Sequence, residues 1–152
     1  MSFLRSEEFL NILTECCIKD YPYTPFADAF HTMRSMLLPV LYLMGSEVPK
    51  ADVYHAICTG YGGLLACLGG HVYKKKVLLT EHGIYTRERE EEIIRAKWVQ
   101  PAFKKQWISF FYMLSDIIYT RAFLVSALFT NAMHAQIQMG CDKEKCRVVE
   151  NG

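Results

Sequence analysis

The segment Val77–Ile94, with the sequence VLLTEHGIYTREREEEII, changes abruptly from apolar to charged residues. Its first three residues form a continuous apolar run, which is typical of a strand buried on both faces of a parallel sheet. Glu81 and His82 follow this strand, and the next residue, Gly83, permits a positive φ or a close backbone approach. Ligands of open parallel sheets bind beyond the carboxyl ends of the strands, so we expect Glu81 and His82 to face that crevice.

A second candidate strand, Asp52–Ile57, is followed by a glycine-bearing turn and a short apolar helix. Together with the first strand these elements form one βαβ unit, which should be right-handed. Thr59 and Gly60 lie in the turn, where backbone amides at the start of the helix could bind an anion, although the dinucleotide-binding spacing GxGxxG is absent. Further strands are predicted at Ala122–Leu128 and Arg147–Val149.

Helical patterns fill most of the remaining sequence. Ser6 is placed to cap a first helix, and a second helix is predicted over Phe26–Leu43. Thr86 can cap a charged helix, and Lys104–Tyr119 is amphipathic with Trp107, Phe110 and Phe111 facing inward.

We therefore predict an α/β fold: a partial Rossmann-like parallel sheet with helices on both faces. Residues 1–45 would form a helical cover, and residues 46–152 would form the βα units.

The charged helix that follows the glycine contains both acidic and basic residues in its first turns. Glu88 and the acidic residues after it suit the positive end of the helix dipole, and Glu91 is spaced to pair with Arg95. A solvated helix face accounts for most of these charges. The dipole disfavours Arg87 and Arg89 at this position, so these two arginines remain candidates for a functional role.

Composition excludes several classes of protein. The chain has 152 residues, a net charge of +1, 51% hydrophobic residues and 22% charged residues, which is typical of one globular domain and gives no expectation of a nucleic-acid partner. Its most apolar segments are interrupted by proline or charged residues, so we expect no membrane-spanning helix. The six cysteines lie mostly in apolar or helical stretches, and we expect reduced, mostly buried thiols. The spacing of Cys141 and Cys146 is too wide for a CxxC zinc half-site.

Three segments of the chain resemble a known family. They are DVYHAICTGYGGLLA at Asp52–Ala66, LLTEHGIYTREREEEI at Leu78–Ile93, and GCDKEKCRVVENG at Gly140–Gly152. These segments resemble the N-terminal domain of the PelF-type glycosyltransferases, retaining enzymes of the GT-B fold and of glycosyltransferase family four that build the Pel exopolysaccharide. The phrase EHGIYTREREEE is the strongest part of the resemblance, and the first forty residues are the weakest. Glu150 stands where the family ending V-I-P-N-G has proline.

The resemblance implies a two-domain transferase that uses a UDP-sugar donor, UDP-glucose in particular, without a metal or other cofactor. It places His82 where related enzymes have a histidine that borders the donor sugar, with Glu81 and Gly83 beside it. The arginine and glutamate residues at positions 87–89 match the motif without an assignable role. The family's glycine-rich first βα turn, and its C-terminal domain with a basic pair and E-x7-E carboxylates, have no counterpart in this sequence.

Two hypotheses follow from the resemblance. The chain is either the acceptor-side part of a cytoplasmic glycosyltransferase, inactive without its C-terminal donor-binding domain, or a noncatalytic remnant or docking module. A docking module would serve a polysaccharide-synthesis assembly. The intact enzyme would bind a UDP-sugar and a saccharide acceptor, and a membrane-bound polysaccharide-synthesis complex at the inner membrane is its further expected partner. Because the family's upstream strands are missing, we further expect an exposed apolar sheet edge or helix face and a tendency to self-associate.

Overall fold

Four parallel strands form the sheet at the centre of the chain. The computed structural model describes residues 3–150. The strands are β1 (Val53–Ala56), β2 (Lys76–Glu81), β3 (Leu124–Ala127) and β4 (Cys146–Val148). They lie side by side in chain order, and every neighbouring pair is parallel. The predicted α/β class and the parallel pairing of all four strands are therefore confirmed, with strand ends that differ from the predicted ones by a residue or two.

Helices precede, connect and follow the strands. The α-helices of the described residues are α1 (Glu7–Asp20), α2 (Phe26–Met44), α3 (Tyr61–Tyr73), α4 (Tyr85–Arg95), α5 (Pro101–Arg121) and α6 (Thr130–Gln138). Short 3-10 helices occupy Phe3–Arg5 and Lys143–Lys145. No helix within residues 3–150 combines the length and the apolar composition needed to cross a membrane.

Of the two helix N-caps predicted at Ser6 and Thr86, the structure contains the one at Ser6. Ser6 caps α1 as predicted, since its hydroxyl oxygen accepts the backbone N–H of Phe9 at 3.1 Å. The prediction that Thr86 caps α4 is wrong, because α4 begins at Tyr85 and Thr86 is fully buried inside it. Helix α5 begins earlier than predicted, at Pro101, because the fixed φ of proline suits the first position of a helix.

The helices that connect the strands cover one face of the sheet. Crossovers between parallel strands are right-handed in nearly all proteins. For strands that neighbour each other in chain order, this rule places the connecting helices on the same side. On that side, Tyr54, Leu79 and Val125 pack into one core with residues of α3 and α5. On the other side, Val53 is 49% exposed and Ile57, just beyond β1, is 69% exposed. Among the described residues, the helix layer expected on both faces is therefore present on one.

The N-terminal helices form a second layer over the first, away from the sheet. Phe9 of α1 and Ala29 of α2 share a core with Phe103 of α5. Met36 of α2 packs in another core with Leu114 of α5. The helical cover predicted for residues 1–45 thus contacts the helix layer in the structure.

Self-association of the chain stays a prediction, and the open sheet face is the apolar surface that the structure offers for it. Sedimentation velocity at micromolar concentrations should detect dimers or larger species, because exposed apolar sheet residues favour association between copies. Ile57→Lys should shift the distribution toward monomer. Ile18→Lys is the matched control, since Ile18 is 71% exposed but lies on α1, away from the sheet. A monomeric wild-type chain would contradict the prediction.

Glycine residues allow α3 to lie close to its neighbours. A Cβ atom at Gly63 would lie 2.6 Å from the backbone oxygen of Cys58 and 2.6 Å from Cδ1 of Ile118. The backbone oxygen cannot move aside without displacing the turn before α3. Gly63 therefore fixes the distance between this helix and the turn.

We expect Gly63→Ala to lower the free energy of unfolding by about 1–3 kcal/mol, the usual cost of overpacking a core. Gly62→Ala is the matched control, because Gly62 is exposed in the same helix and its nearest atom would be the Cys58 sulfur at 3.9 Å. That variant should gain roughly 0.5–1 kcal/mol from the better helix propensity of alanine. Urea denaturation measures the free energy of unfolding of both variants. Equal stability of the two would show that α3 can shift away from the turn to make room for the methyl group.

Candidate functional site

Strand β2 carries Glu81 to the carboxyl edge of the sheet but turns its side chain inward. Alternate residues of β2, namely Val77, Leu79 and Glu81, are buried on the helix-covered face. The carboxyl of Glu81 is therefore enclosed, and only 2% of the residue is exposed. The prediction that Glu81 faces the crevice is wrong, because strand alternation gives it the same direction as Leu79.

Neutral donors from four different elements surround this buried carboxylate. Tyr119 of α5 donates its hydroxyl to Oε2 at 2.7 Å, and the side-chain amide of Gln136 on α6 donates to the same oxygen at 3.1 Å. The hydroxyl of Thr59, in the turn after β1, donates to Oε1 at 3.4 Å. The backbone N–H of Tyr85, at the start of α4, also bonds the Glu81 carboxyl. Glu81 thus joins β2 to the elements that lie over the carboxyl edge of the sheet.

Burial and hydrogen bonding act in opposite directions on this group. Burial, the largest effect, raises the pKa of the Glu81 carboxyl, and the hydrogen bonds from Tyr119, Gln136, Tyr85 and Thr59 partly offset it. Burial, and then the charge of Glu81, raise the pKa of the Tyr119 phenol. Tyr119 therefore keeps its proton at neutral pH and acts as a donor. The ion pairs of the described residues do not include Glu81.

A cluster of buried hydroxyl groups extends the network. Ser115 of α5 donates to the hydroxyl of Thr59 at 2.9 Å, and the hydroxyls of Ser115 and Thr86 are in hydrogen-bonding contact. Each of the three residues is at most 1% exposed. This contact explains why Thr86 lies within α4, because its hydroxyl bonds the core instead of capping the helix.

The predicted anion site at the start of α3 is closed. Thr59 is fully buried, and its hydroxyl bonds Glu81 and its neighbours in the core. Gly60 is also buried, and a Cβ atom there would lie 2.8 Å from the Tyr85 ring. The tyrosine ring therefore covers the start of the helix, and the expected role of Thr59 and Gly60 in anion binding is wrong for this arrangement.

His82 is the predicted site residue that the structure places in solvent at the carboxyl edge. It follows β2 directly and is exposed. Gly83 is exposed beside it, without the positive φ that the sequence allowed. A Cβ atom at Gly83 would meet only the carboxylate of Glu88, which is the flexible end of an exposed side chain and can move aside.

The two arginines of the motif pair with acidic residues of the same helix. Arg87 lies 3.9 Å from Glu91, and Arg89 lies 2.5 Å from Glu92. The predicted pair of Glu91 and Arg95 is confirmed at 3.6 Å. These pairs give Arg87 and Arg89 partners on α4 itself. Arg87 therefore lies on the solvated face of α4, whereas Arg89 is half-buried with its guanidinium 5.3 Å from the centre of the Tyr85 ring. Neither arginine is ion-paired with Glu81.

Comparison with known proteins assigns the chain to a family. Residues 1–144 match the model of a domain of unknown function, DUF3492. The chain belongs to the DUF3492 family. A search of curated proteins and a search of solved structures each find no match. The matched range contains β1, β2 and β3, His82 and the whole Glu81 network, so these features lie within the DUF3492 domain.

Sequence reasoning missed three residues of the network in this DUF3492 domain, namely Ser115, Tyr119 and Gln136. Ser115 and Tyr119 lie four residues apart on α5, which places them on one face of the helix. That face also carries Phe111 and Ile118, which are buried. Polar groups on an inward helical face were therefore a usable signal, because buried hydroxyls need partners.

Proposed function

We propose that this DUF3492 domain is the acceptor-side N-terminal portion of a retaining, UDP-sugar-dependent glycosyltransferase for a Pel-like exopolysaccharide, and that it is inactive alone. The exposed imidazole of His82, which directly follows a central parallel strand, is the main support for this proposal. Ligands of such sheets bind at this edge. The family also supports it, since DUF3492 is known as an N-terminal domain associated with glycosyltransferases. The PelF type and UDP-glucose as donor rest on the resemblance of Leu78–Ile93.

His82 is the residue of this domain that would act on the donor sugar. Its imidazole can donate a hydrogen bond to a sugar hydroxyl, or stabilise the charge that develops on the sugar during transfer. Glu81 does not contact substrate in this scheme. It is a positioning residue, because its hydrogen bonds hold the end of β2 and therefore the backbone from which His82 projects.

The remaining parts of the active site would come from a second domain. In the proposed enzyme, that domain binds the UDP portion of the donor, and the cleft between the two domains encloses the reacting sugar. The DUF3492 domain then forms the wall on the acceptor side. We place the enzyme in the cytoplasm, in contact with a membrane-bound polysaccharide-synthesis complex that receives the product.

A noncatalytic docking module is the second candidate. The burial of Thr59, Gly60 and Glu81 favours it, because these residues were expected to line the site together with His82 and instead form part of the core. Under this hypothesis, His82 is a surface residue of a turn, and its replacement leaves sugar transfer unchanged.

The purified 152-residue chain provides the first test. Incubated with UDP-glucose and an oligosaccharide acceptor, it should release no UDP, because a cleft between two domains needs both walls. The coding sequence on either side of this frame provides the second test. A downstream E-x7-E domain supports the enzyme, and stop codons on both sides support the noncatalytic module. UDP-glucose-dependent transfer by the chain alone would overturn the two-domain proposal.

A further inference from the structure

The connection between α6 and β4 holds two cysteine thiols in contact. The sulfur atoms of Cys141 and Cys146 lie 3.4 Å apart, and the thiol of Cys146 can donate to the sulfur of Cys141. Both thiols are free, and the two residues are only 3% and 4% exposed. A disulfide bond has a length of about 2.0 Å, so the two sulfurs need to approach by little more than 1 Å.

Separate hydrogen bonds fix the two backbone positions. The backbone N–H of Cys141 donates to the carbonyl of Gln136 at 3.0 Å, after a turn in which Gly140 has a φ of 100°. Cys146 begins β4 and lies opposite Val125 in the parallel register with β3. The proximity of the sulfurs therefore follows from the ends of two regular elements and does not depend on side-chain rotation alone.

The loop between the cysteines is also ordered by its own contacts. Asp142 caps the short 3-10 helix Lys143–Lys145, accepting the backbone N–H of Glu144 at 2.9 Å. The amine of Lys145 donates to backbone oxygens at the end of α5, including that of Thr120 at 2.9 Å. Within residues 3–150, no cluster of three or more potential metal ligands includes the cysteine pair, so a dithiol reaction is the chemistry that this pair offers.

We propose that Cys141 and Cys146 are a modification site that forms a reversible intramolecular disulfide with small-molecule disulfides such as oxidised glutathione. In the first step, one thiol loses its proton and attacks a sulfur of the oxidant, which releases one glutathione thiolate. In the second step, the other cysteine attacks the mixed disulfide and releases the second glutathione. The two protein thiols lose two electrons and two protons in total, and one oxidised glutathione becomes two reduced ones.

Burial controls the rate of this reaction. Burial, with smaller contributions from Cys146, raises the pKa of the Cys141 thiol to about 12. Because the thiolate is the attacking species, the reaction requires local opening of the loop at Asp142–Lys145, whose residues are mostly exposed. Oxidation is therefore slow, and the disulfide, once enclosed again, is protected from reductants of large size.

The disulfide joins the end of α6 to the start of β4. It closes a loop of about six residues, which lowers the entropy of the unfolded chain and so raises the free energy of unfolding. For a chain of this length, the gain corresponds to a rise in Tm of roughly 4–8 °C. The attachment of β4 to the sheet would strengthen most, because this strand is short and pairs with β3 alone.

Peptide mapping tests the proposal on the wild-type chain. The protein is incubated with oxidised glutathione, unfolded in the presence of an alkylating reagent, and digested with trypsin. Trypsin cleaves after Lys143 and Lys145, so a disulfide holds the peptide ending at Lys143 to the dipeptide Cys146-Arg147. We expect these two disulfide-linked peptides to be the principal product, and dithiothreitol should separate them. They should appear over the same time as the rise in Tm.

Cys67→Ser is the control for a buried thiol elsewhere in the same core. Cys67 is 7% exposed on α3, and burial raises its pKa to about 11. This variant should form the Cys141–Cys146 disulfide normally, and Cys146→Ser should lose both the linked peptides and the rise in Tm. The proposal is overturned if Cys141 and Cys146 are recovered alkylated or separately glutathionylated, or if either one links mainly to a different cysteine.

Discussion

Replacing His82 with alanine should lower the rate of sugar transfer about a hundredfold or more in an enzyme that contains this domain together with its donor-binding domain. Removal of one well-placed group that stabilises charge in a transition state has an effect of this size. The fold should remain intact, because His82 is exposed in the turn after β2. Initial rates of UDP release with saturating UDP-glucose measure the effect, and circular dichroism checks the fold.

His71→Ala is the matched control for this experiment. His71 is also exposed, but it lies in the last turn of α3, before the chain enters β2 at the opposite edge of the sheet. Its replacement should leave the rate within about twofold of wild type, which is a free-energy change of about 0.4 kcal/mol. A His82→Ala enzyme of normal rate would remove His82 from the catalytic proposal and favour the docking module.

Replacing Glu81 with alanine should have the largest effect on stability. The change leaves the buried donors of Tyr119, Gln136 and Thr59 without their acceptor, and each unsatisfied buried group costs about 1–3 kcal/mol. We expect the free energy of unfolding to fall by about 3–5 kcal/mol. Urea denaturation measures the loss, with Glu144→Ala as the control at an exposed glutamate. A loss below about 1 kcal/mol would show that water or side-chain movement replaces the carboxyl.

Glu81→Gln tests the ionisation of the same group. Burial raises the pKa of Glu81 in the folded protein above its ordinary value of 4.5, so the folded state binds the proton more tightly than the unfolded state. The contribution of this carboxyl to stability is therefore fully present below the unfolded pKa and is lost as the pH rises through the folded pKa. Wild-type stability relative to Glu81→Gln should increase as the pH is lowered from about 8 to about 5. A flat difference, or one that decreases at low pH, would contradict the raised pKa.

The sequence predicted the elements more successfully than the directions of their side chains. The alternation of apolar runs, glycines and amphipathic helices was sufficient for the parallel α/β class, because each element has its own local period. The apolar run that begins β2 was ambiguous, because Leu78 on one face and Val77 and Leu79 on the other are equally apolar. Such a run predicts a strand buried on both faces, whereas Leu78 is only half-buried on the open face.

The Glu81 network lay beyond sequence reasoning for a different reason. The side chains of Thr59 and Ser115 are 56 residues apart in the chain, and those of Glu81 and Gln136 are 55 residues apart. Each of these residues, taken alone, is of a type that is common in turns or helices. Their partnership depends on how α5 and α6 pack over the sheet, and no local pattern records that packing.

The sequence by itself determined the parallel sheet, the cap of α1 at Ser6 and the exposed position of His82 after β2. The cap and the turn depend on residues near one another in the chain, and the parallel class was predicted from the local periods of successive strands and helices. The tertiary structure alone decided that the connecting helices cover one sheet face and that Glu81 bonds Tyr119 of α5 and Gln136 of α6. The physical reason is that strand order and helix packing bring distant segments together, and burial then determines which polar groups bond to one another and which remain in solvent.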